Sequence, residues 1–532
     1  MNNPSRGPDS ITGTNCMPTK VLHIVRDMSL GGGCRAIFAL ARYSAAQGDF
    51  IHSVASLSPN NDPRAIQLAE ASGVSVATSG GVEQTLDLIN QFDIIHLSWW
   101  NDPLMSFFLA HKLPPCRLLL WAHVAGHAPP QIVTSELVEF SDVFAGAGPY
   151  TLLLPHIQEA VSNGKEAVMI LGCADLSRVQ PAKPHGTGTF RIGYIGTVEY
   201  NKMNPRYVDL CEQINIPNAE FVVCGTGGAL EHIRSRASRS PIGDRIKLLG
   251  YVGDIGPVLA SFDVYGYPLR GTTYAAGELN LQEVMRAGVV PVAFPYGGIR
   301  ELIIDGVTGL LPRTEQEFAE AIEYLYYHPA ERVRMGENAH KYSLVHFGGE
   351  AAARVANATY DRMMKQAKRD RAPMLDQTEY PLGITLFLHG LGPFGTPFKH
   401  SLEFDEDTIQ GLEAELRIAR SDELMAFGGI RNYLGGFPQE AYFHLWSGLS
   451  LMFRNRSLAM THLAEALKTG NSHWRIWWYL SILLTKAEFD ALRENSFPTS
   501  PPPVLRNFLQ DLETIYKTEL GIVTADPLTA VF

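Results

Sequence analysis

The chain has 532 residues, 45% hydrophobic and 19% charged, a globular composition long enough for several domains. Its 44 basic and 55 acidic residues give a net charge of −11; with no long basic run, this argues against non-specific nucleic-acid binding. Cys16, Cys34, Cys116, Cys173, Cys211 and Cys224 form no CxxC or Cys/His cluster, the N-terminus lacks an apolar leader core, and no run reaches the ~18 apolar residues of a membrane span; reduced thiols in a cytoplasmic protein, with at most peripheral membrane contact, are the expectation.

Residues 1–19 read as a disordered polar tail. Short apolar runs then alternate with helix-length stretches. Val21–Val25, His52–Leu57, Val74–Ala77, Phe92–Leu97, Arg117–Ala122, Asp142–Ala145 and Ala167–Leu171 form one series. Arg191–Ile195, Glu220–Cys224, Ile246–Leu249, Phe262–Tyr267, Val289–Phe294 and Thr308–Leu311 form a second. Amphipathic segments such as Ala36–Ala46 and Glu315–Tyr327 lie between them. This alternation predicts parallel sheets covered on both faces, hence two Rossmann-like domains over 20–179 and 188–345, split by the linker Gln180–Thr187. Ala351–Ala367 reads as a long helix within 346–370 that returns to the first domain, Arg369–Asp376 as a charged linker, and 371–402 as linker or irregular.

Residues 403–532 predict a helical domain, broken by the Pro cluster Phe497–Pro503 before a last helix near Leu505–Leu520. Phe443 and Trp477 stand 34 residues apart with Ala459 and Ala466 between them, a tetratricopeptide-like spacing that an ordinary helical domain explains equally well. Trp446, Trp474, Trp477 and Trp478 are expected in its core.

Four segments carry residues suited to an anionic, hydroxylated ligand. Gly31-Gly32-Gly33 follows the first strand and opens a helix near Cys34, where backbone N–H groups and the helix dipole favour phosphate, although a tight turn alone would also explain it. Gly196-Thr197 through Lys202 follow the first strand of the second domain, at the carboxyl end where such folds bind ligands. Gly225-Thr226-Gly227-Gly228 form another loop able to approach a ligand, or simply turn. In Gly277-Glu278-Leu279-Asn280-Leu281-Gln282-Glu283, Glu283 is read as opening a helix; two carboxylates beside a cleft would accept sugar hydroxyls.

Taken in order, GGGCRAIFALAR (31–42), LQEVMRAGVVPVAF (281–294), GGIRE (297–301) and DGVTGLL (305–311) resemble the motifs of family 4 type retaining glycosyltransferases of GT-B architecture, over about residues 20–370. The resemblance implies an acceptor domain at 20–179 and a nucleotide-sugar donor domain at 188–345, facing a cleft. It also implies a reaction without catalytic metal or cofactor. By residue, it implies that Lys202 grips the diphosphate, Glu283 holds the ribose, the backbone near Val252 receives the base, Gly32 and Gly33 lie near the diphosphate, and His123 faces the sugar. Glu278 joins the catalytic set, and Gly196, Thr197, Gly225, Gly277, Leu279 and Asn280 line the donor.

Two positions depart from the family. Thr197 stands where an arginine is usual, and Ala275 where the first acid of the pair is usual, leaving Glu278 as its only substitute. Arg270 or Arg206 would have to supply the missing charge. The alternative is a catalytically weakened GT-B scaffold whose helical C-terminal region binds a protein partner.

Overall fold

The computed structural model describes residues 17–78, 80–181, 188–375, 379–405, 407–421, 427–470, 473–493 and 501–522. Most of the N-terminal tail, residues 182–187 of the linker, and 497–500 of the Pro cluster lie outside the described residues.

The first lobe is a parallel sheet of seven strands: β1 (Thr19–Val25), β2 (Phe50–Ser56), β3 (Ser75–Thr78), β4 (Ile94–Trp99), β5 (Leu118–Ala122), β6 (Val143–Gly146) and β7 (Glu166–Met169), in the order β7-β6-β5-β4-β1-β2-β3. The central strands β4 and β5 are buried along their whole length, which is why they read as apolar runs. Helix α1 (Gly32–Gln47) follows β1, and α2 (Pro103–Leu109) follows β4, capped by the Asp102 carboxylate on Leu104 N–H at 2.9 Å.

The second lobe is a parallel sheet of β8 (Phe190–Ile195), β9 (Ala219–Cys224), β10 (Ile246–Gly250), β11 (Val264–Tyr267) and β12 (Val290–Ala293), in the order β10-β9-β8-β11-β12. Helix α3 (Leu279–Arg286) precedes β12. The expected strand Thr308–Leu311 is absent; this segment makes only the single bridges Val292–Leu310 and Asp305–Gly309. Gly306 N–H bonds back to Gly309 O at 2.9 Å, so the backbone turns on itself.

Helix α4 (Gly349–Met364) packs Ala352, Ala356, Tyr360 and Met363 into the first lobe's core. Tyr360 OH is hydrogen-bonded to His96 Nδ1 at 2.7 Å. His96 belongs to a buried row across β2, β1 and β4: His23 lies 5.1 Å from His52 and 4.8 Å from His96, ring to ring, with a 2.9 Å bond between His23 Nε2 and His52 Nδ1. Burial, reinforced by the neighbouring imidazoles, holds His23 and His96 well below the usual histidine pKa, and burial lowers His52 to about 4.

The stretch 371–402 is not irregular throughout: it contains helices α5 (Leu382–Leu391) and Thr396–Leu402. Nor is Arg369–Asp376 wholly a linker, because Arg369–Arg371 pairs antiparallel with Leu113–Cys116. Its charge misleads: Arg371 is buried, with its guanidinium on Asp142 and on the carbonyls of Phe140 and Cys116.

Beyond it, the described residues form helices, among them Thr408–Arg420, α6 (Ile430–Gly436), Ala441–Leu451, Arg456–Lys468, Trp474–Leu483 and Arg506–Glu519. Trp446, Trp474, Trp477 and Trp478 are all buried there. This helical domain is fastened to the first lobe just beyond β4. Asn101 Nδ2 donates to Pro130 O (2.7 Å), Gly390 O (3.2 Å) and Gly428 O (3.3 Å), and its Oδ1 accepts from Tyr433 OH (3.0 Å). Gln131 Nε2 donates to Phe427 O at 2.9 Å.

Candidate functional site

Parallel strands present their carboxyl ends to ligands. After β8 the chain turns at Gly196, whose φ of +148° favours glycine. The loop after β9 packs against this turn backbone to backbone: a side chain at Gly225 would overlap Gly196 O, and one at Gly227 would overlap Val198 O. Gly228 N–H donates to the Glu199 carboxylate. The Gly225–Gly228 loop is thus occupied in packing. Gly225 N–H donates to Gly250 O at 2.8 Å, beside the half-buried Val252 at the end of β10.

Lys202 lies in the next turn. Although its side chain is 11% exposed, its ammonium sits 3.0 Å from Glu278 Oε2 and 5.6 Å from the centre of the Tyr274 ring. Tyr267 OH also donates to Glu278 Oε2. Burial opposes the ammonium, but the Glu278 carboxylate and Tyr274 outweigh it, so the pKa of Lys202 lies above the usual lysine value. Glu278 has φ +27°, rare for a non-glycine residue, and precedes α3 without capping it, its carboxylate being turned to Lys202 instead. Asn280 donates to Ile195 O and, at 2.7 Å, to Tyr265 OH, tying the start of α3 to the end of β8. Thr197 is in reach of the same cluster, its carbonyl accepting from Tyr194 OH at 2.9 Å.

The two arginines expected to replace the missing charge each have a partner elsewhere. Arg206 pairs with Glu315 at 2.7 Å on an exposed face, and Arg270 donates to Tyr200 O at 2.7 Å.

Glu283 does not open a helix; it lies in the second turn of α3, buried to 1% exposure. Its Oε1 takes Arg35 of the first lobe and, at 3.3 Å, Arg178. Its Oε2 is buried with no partner among the described residues. Around it the lobes meet through small residues. A side chain at Gly277 would overlap Ala147 O, and one at Gly148 would stand 2.8 Å from the Ala276 backbone. Ala275 is fully buried and its carbonyl accepts from Gly298 N–H at 2.8 Å. Leu279 packs against the cores of both lobes.

On the first lobe, a side chain at Gly32 would meet Leu279 at 4.0 Å, and one at Gly33 would strike Trp100 at 2.7 Å. His123 ends β5, its ring 4.3 Å from Trp121 and 5.6 Å from Trp100. Burial lowers its pKa to about 3, and its Nε2 has no partner among the described residues. Two residues on, Ala125 N–H bonds Tyr274 O across the lobes at 2.9 Å.

The fold therefore brings Lys202, Glu278, Asn280 and Thr197 into one cluster. It places Gly32, Gly277, Leu279 and Glu283 at the joint between lobes, His123 against the tryptophans behind the glycine turn, and Gly225 and Val252 farther along the rim. Sequence reasoning missed Arg35, Arg178 and Tyr274; Arg35 stands in the quoted GGGCR motif, while the other two had no signal. Beside the cluster opens a cavity of about 920 Å³, lined by Arg26 and Asp102 of the first lobe, Thr197, Asn201 and Tyr274 of the second, and Phe427 of the helical domain. Among the described residues, no group of three or more His, Cys, Asp or Glu side chains is placed to hold a metal.

Residues 178–342 match the family model described as glycosyl transferases group 1. Among solved structures, the chain is similar to HepE of Anabaena in complex with UDP-glucose (16% identity, TM-score 0.53, 65% of this chain and 99% of that one). It is also similar to the sucrose-phosphate synthase of Thermosynechococcus elongatus (17% identity, TM-score 0.52, 65% and 99%) and to a glycosyltransferase of Rickettsia africae (13% identity, TM-score 0.51, 66% and 99%). No curated protein matches the chain. The two lobes are the GT-B fold, with the glycosyl transferases group 1 match on the second lobe.

Proposed function

We propose that the chain transfers a sugar from a nucleotide-sugar donor to an acceptor, with retention of anomeric configuration and without a catalytic metal. The observation that carries this reading is the buried Lys202–Glu278 pair beside the inter-lobe cavity. Breaking the bond from the sugar to its diphosphate builds negative charge on the leaving group, and preorganised cations and N–H groups lower that barrier. Lys202 supplies the cation; in the ligand-free protein Glu278 balances it, and a diphosphate takes over as counter-charge. The first turn of α3 adds N–H donors. Glu278 then accepts sugar hydroxyls, and the unpartnered Oε2 of Glu283 accepts a ribose hydroxyl. Neutral His123 faces the sugar, and the close fit of the lobes excludes water that would hydrolyse the donor.

UDP is the first nucleotide to test, because HepE was crystallised with UDP-glucose. We place the protein in the cytoplasm; no helix of the described residues is long and apolar enough to cross a membrane. The helices Ala441–Leu451 and Arg456–Lys468, followed by Trp474–Leu483, support a tetratricopeptide-like reading of that stretch. A second reading, a weakened GT-B scaffold, is favoured by one observation, the buried alanine at position 275.

Calorimetry with UDP, GDP and ADP, followed by product analysis with UDP-glucose and NMR of the new anomeric linkage, tests the proposal. Binding and transfer with a retained anomer are expected. Absence of binding to every nucleoside diphosphate would leave the scaffold.

A further inference from the structure

The helical domain does more than decorate the lobes. Phe427 and Arg431 reach the same cavity as Asn201 and Tyr274 of the second lobe. Phe427 is 38% exposed, with the Arg26 guanidinium 5.6 Å from the centre of its ring. The ring thus offers apolar surface on the wall of an open cleft. Across the cavity, Asn201 contributes an amide side chain to the lining.

Of the remaining polar lining, Ser58, Asn60, Thr197 and Asn432 offer hydroxyls and amides, and the charged groups stand two of each sign, Arg26 and Arg431 against Asp102 and Glu199. Arg26 is already balanced by Asp102 at 2.8 Å. Aromatic faces with neutral hydrogen-bonding groups suit the C–H faces and hydroxyls of a sugar ring, and suit a lipid chain or an anionic peptide poorly. The cavity is at the upper end of the range for small-molecule sites, leaving room for a donor and an acceptor unit together.

We infer that the acceptor is a neutral saccharide, bound between Phe427 and Arg431 of the helical domain and Asn201 and Tyr274 of the second lobe. The helical domain is then part of the acceptor site and sets acceptor choice. This rests on the nucleotide-sugar reading above, and its test separates the two.

The full chain is saturated with UDP, and a panel of p-nitrophenyl α- and β-hexosides is titrated by saturation-transfer NMR. The parent is expected to bind one or more of them. Phe427→Ala and Arg431→Ala are each expected to weaken that saccharide by about tenfold (~1.4 kcal/mol), with the Kd for UDP within about twofold of the parent. Phe427→Ala keeps the backbone carbonyl that receives Gln131, and Arg431 is exposed, so both variants retain the dock. Saccharide binding unchanged in both variants overturns the inference, as does a UDP-bound parent that binds no member of the panel. Failure of the parent to bind any of UDP, GDP and ADP sinks the nucleotide-sugar reading and this inference with it.

Discussion

The Lys202–Glu278 pair predicts opposite effects on donor affinity from its two members. At 3.0 Å and an effective dielectric of ~20, the attraction is roughly 5 kcal/mol, most of it offset by the desolvation of two buried charges. Lys202→Met strands the Glu278 carboxylate, which is 6% exposed. Removing one partner of a buried pair costs about 3–5 kcal/mol, so this variant should melt early, and Lys202→Met with Glu278→Gln should recover a large part of the loss. UDP binding gives the sharper contrast. Lys202→Met removes a charged phosphate contact worth about 1.5–3 kcal/mol and should weaken UDP by roughly 10- to 150-fold. Glu278→Gln removes the carboxylate that competes with the diphosphate for Lys202, while its amide oxygen still accepts from Tyr267, so UDP should bind more tightly and sugar transfer should fall. Since the folded pKa of Lys202 is raised, its contribution is complete below the usual lysine pKa and fades only as pH rises through the raised value. The charge of Lys202 is therefore the same at pH 6 and pH 8. Denaturant melts and calorimetry measure both effects. Equal weakening of UDP in Lys202→Met and Glu278→Gln would refute the competition, and unchanged UDP binding in Lys202→Met would remove lysine from the donor site.

Acid should destabilise the first lobe well before most carboxylates protonate. His52 and His123, lowered to about 4 and about 3, stay neutral in the fold while the unfolded chain gains protons below pH ~6.5. Stability is thus full above pH 6.5 and falls toward pH 4, by about 3 kcal/mol from His52 alone; a melting temperature that does not change between pH 7 and 5 contradicts the buried row. Gly277→Val should force the lobes apart at Ala147, costing about 1–3 kcal/mol and enlarging the radius of gyration in small-angle scattering; an unchanged radius rejects the tight joint. Asn101→Ala should strip the dock of its central amide, lowering stability by about 1–3 kcal/mol and exposing the helical domain to limited proteolysis, and parental resistance to protease rejects the dock.

Both sheets were legible because strands buried on two faces leave continuous apolar runs, as at Ile94–Trp99 and Leu118–Ala122. The failures have a common cause. Thr308–Leu311 is apolar enough for a strand, but it meets β12 at Leu310 while Thr308 N–H turns back on Ile304 O. Arg371 looks solvated, yet Asp142 and nearby carbonyls neutralise it inside the protein. Pattern reports burial well and partnership badly. In the same way, Lys202 was found from its place after the first strand of the second lobe, but the ion pair with Glu278 depends on a backbone turn of φ +27° that no periodicity announces. Glu283 was identified, but not the arginines that hold it, because Arg35 and Arg178 come from distant parts of the chain.

The placement of the helical domain was the least legible feature, and it bears most on the cavity. Its own aromatic core could be anticipated from tryptophan spacing, but its seat depends on two amides of the first lobe, Asn101 after β4 and Gln131 in a short strand pair. Asn101 directly follows Trp100 and precedes Asp102, the partner of Arg26, so one short segment carries both the dock and the cavity wall. The helical domain is accordingly fixed to the first lobe, whereas Asn201 and Tyr274 belong to the second. Opening the lobes would draw Tyr274 away from Phe427 and leave Phe427 over Arg26. Closing them completes a three-sided enclosure around whatever occupies the cavity, so an acceptor seated there would feel the same motion that shields the donor from water.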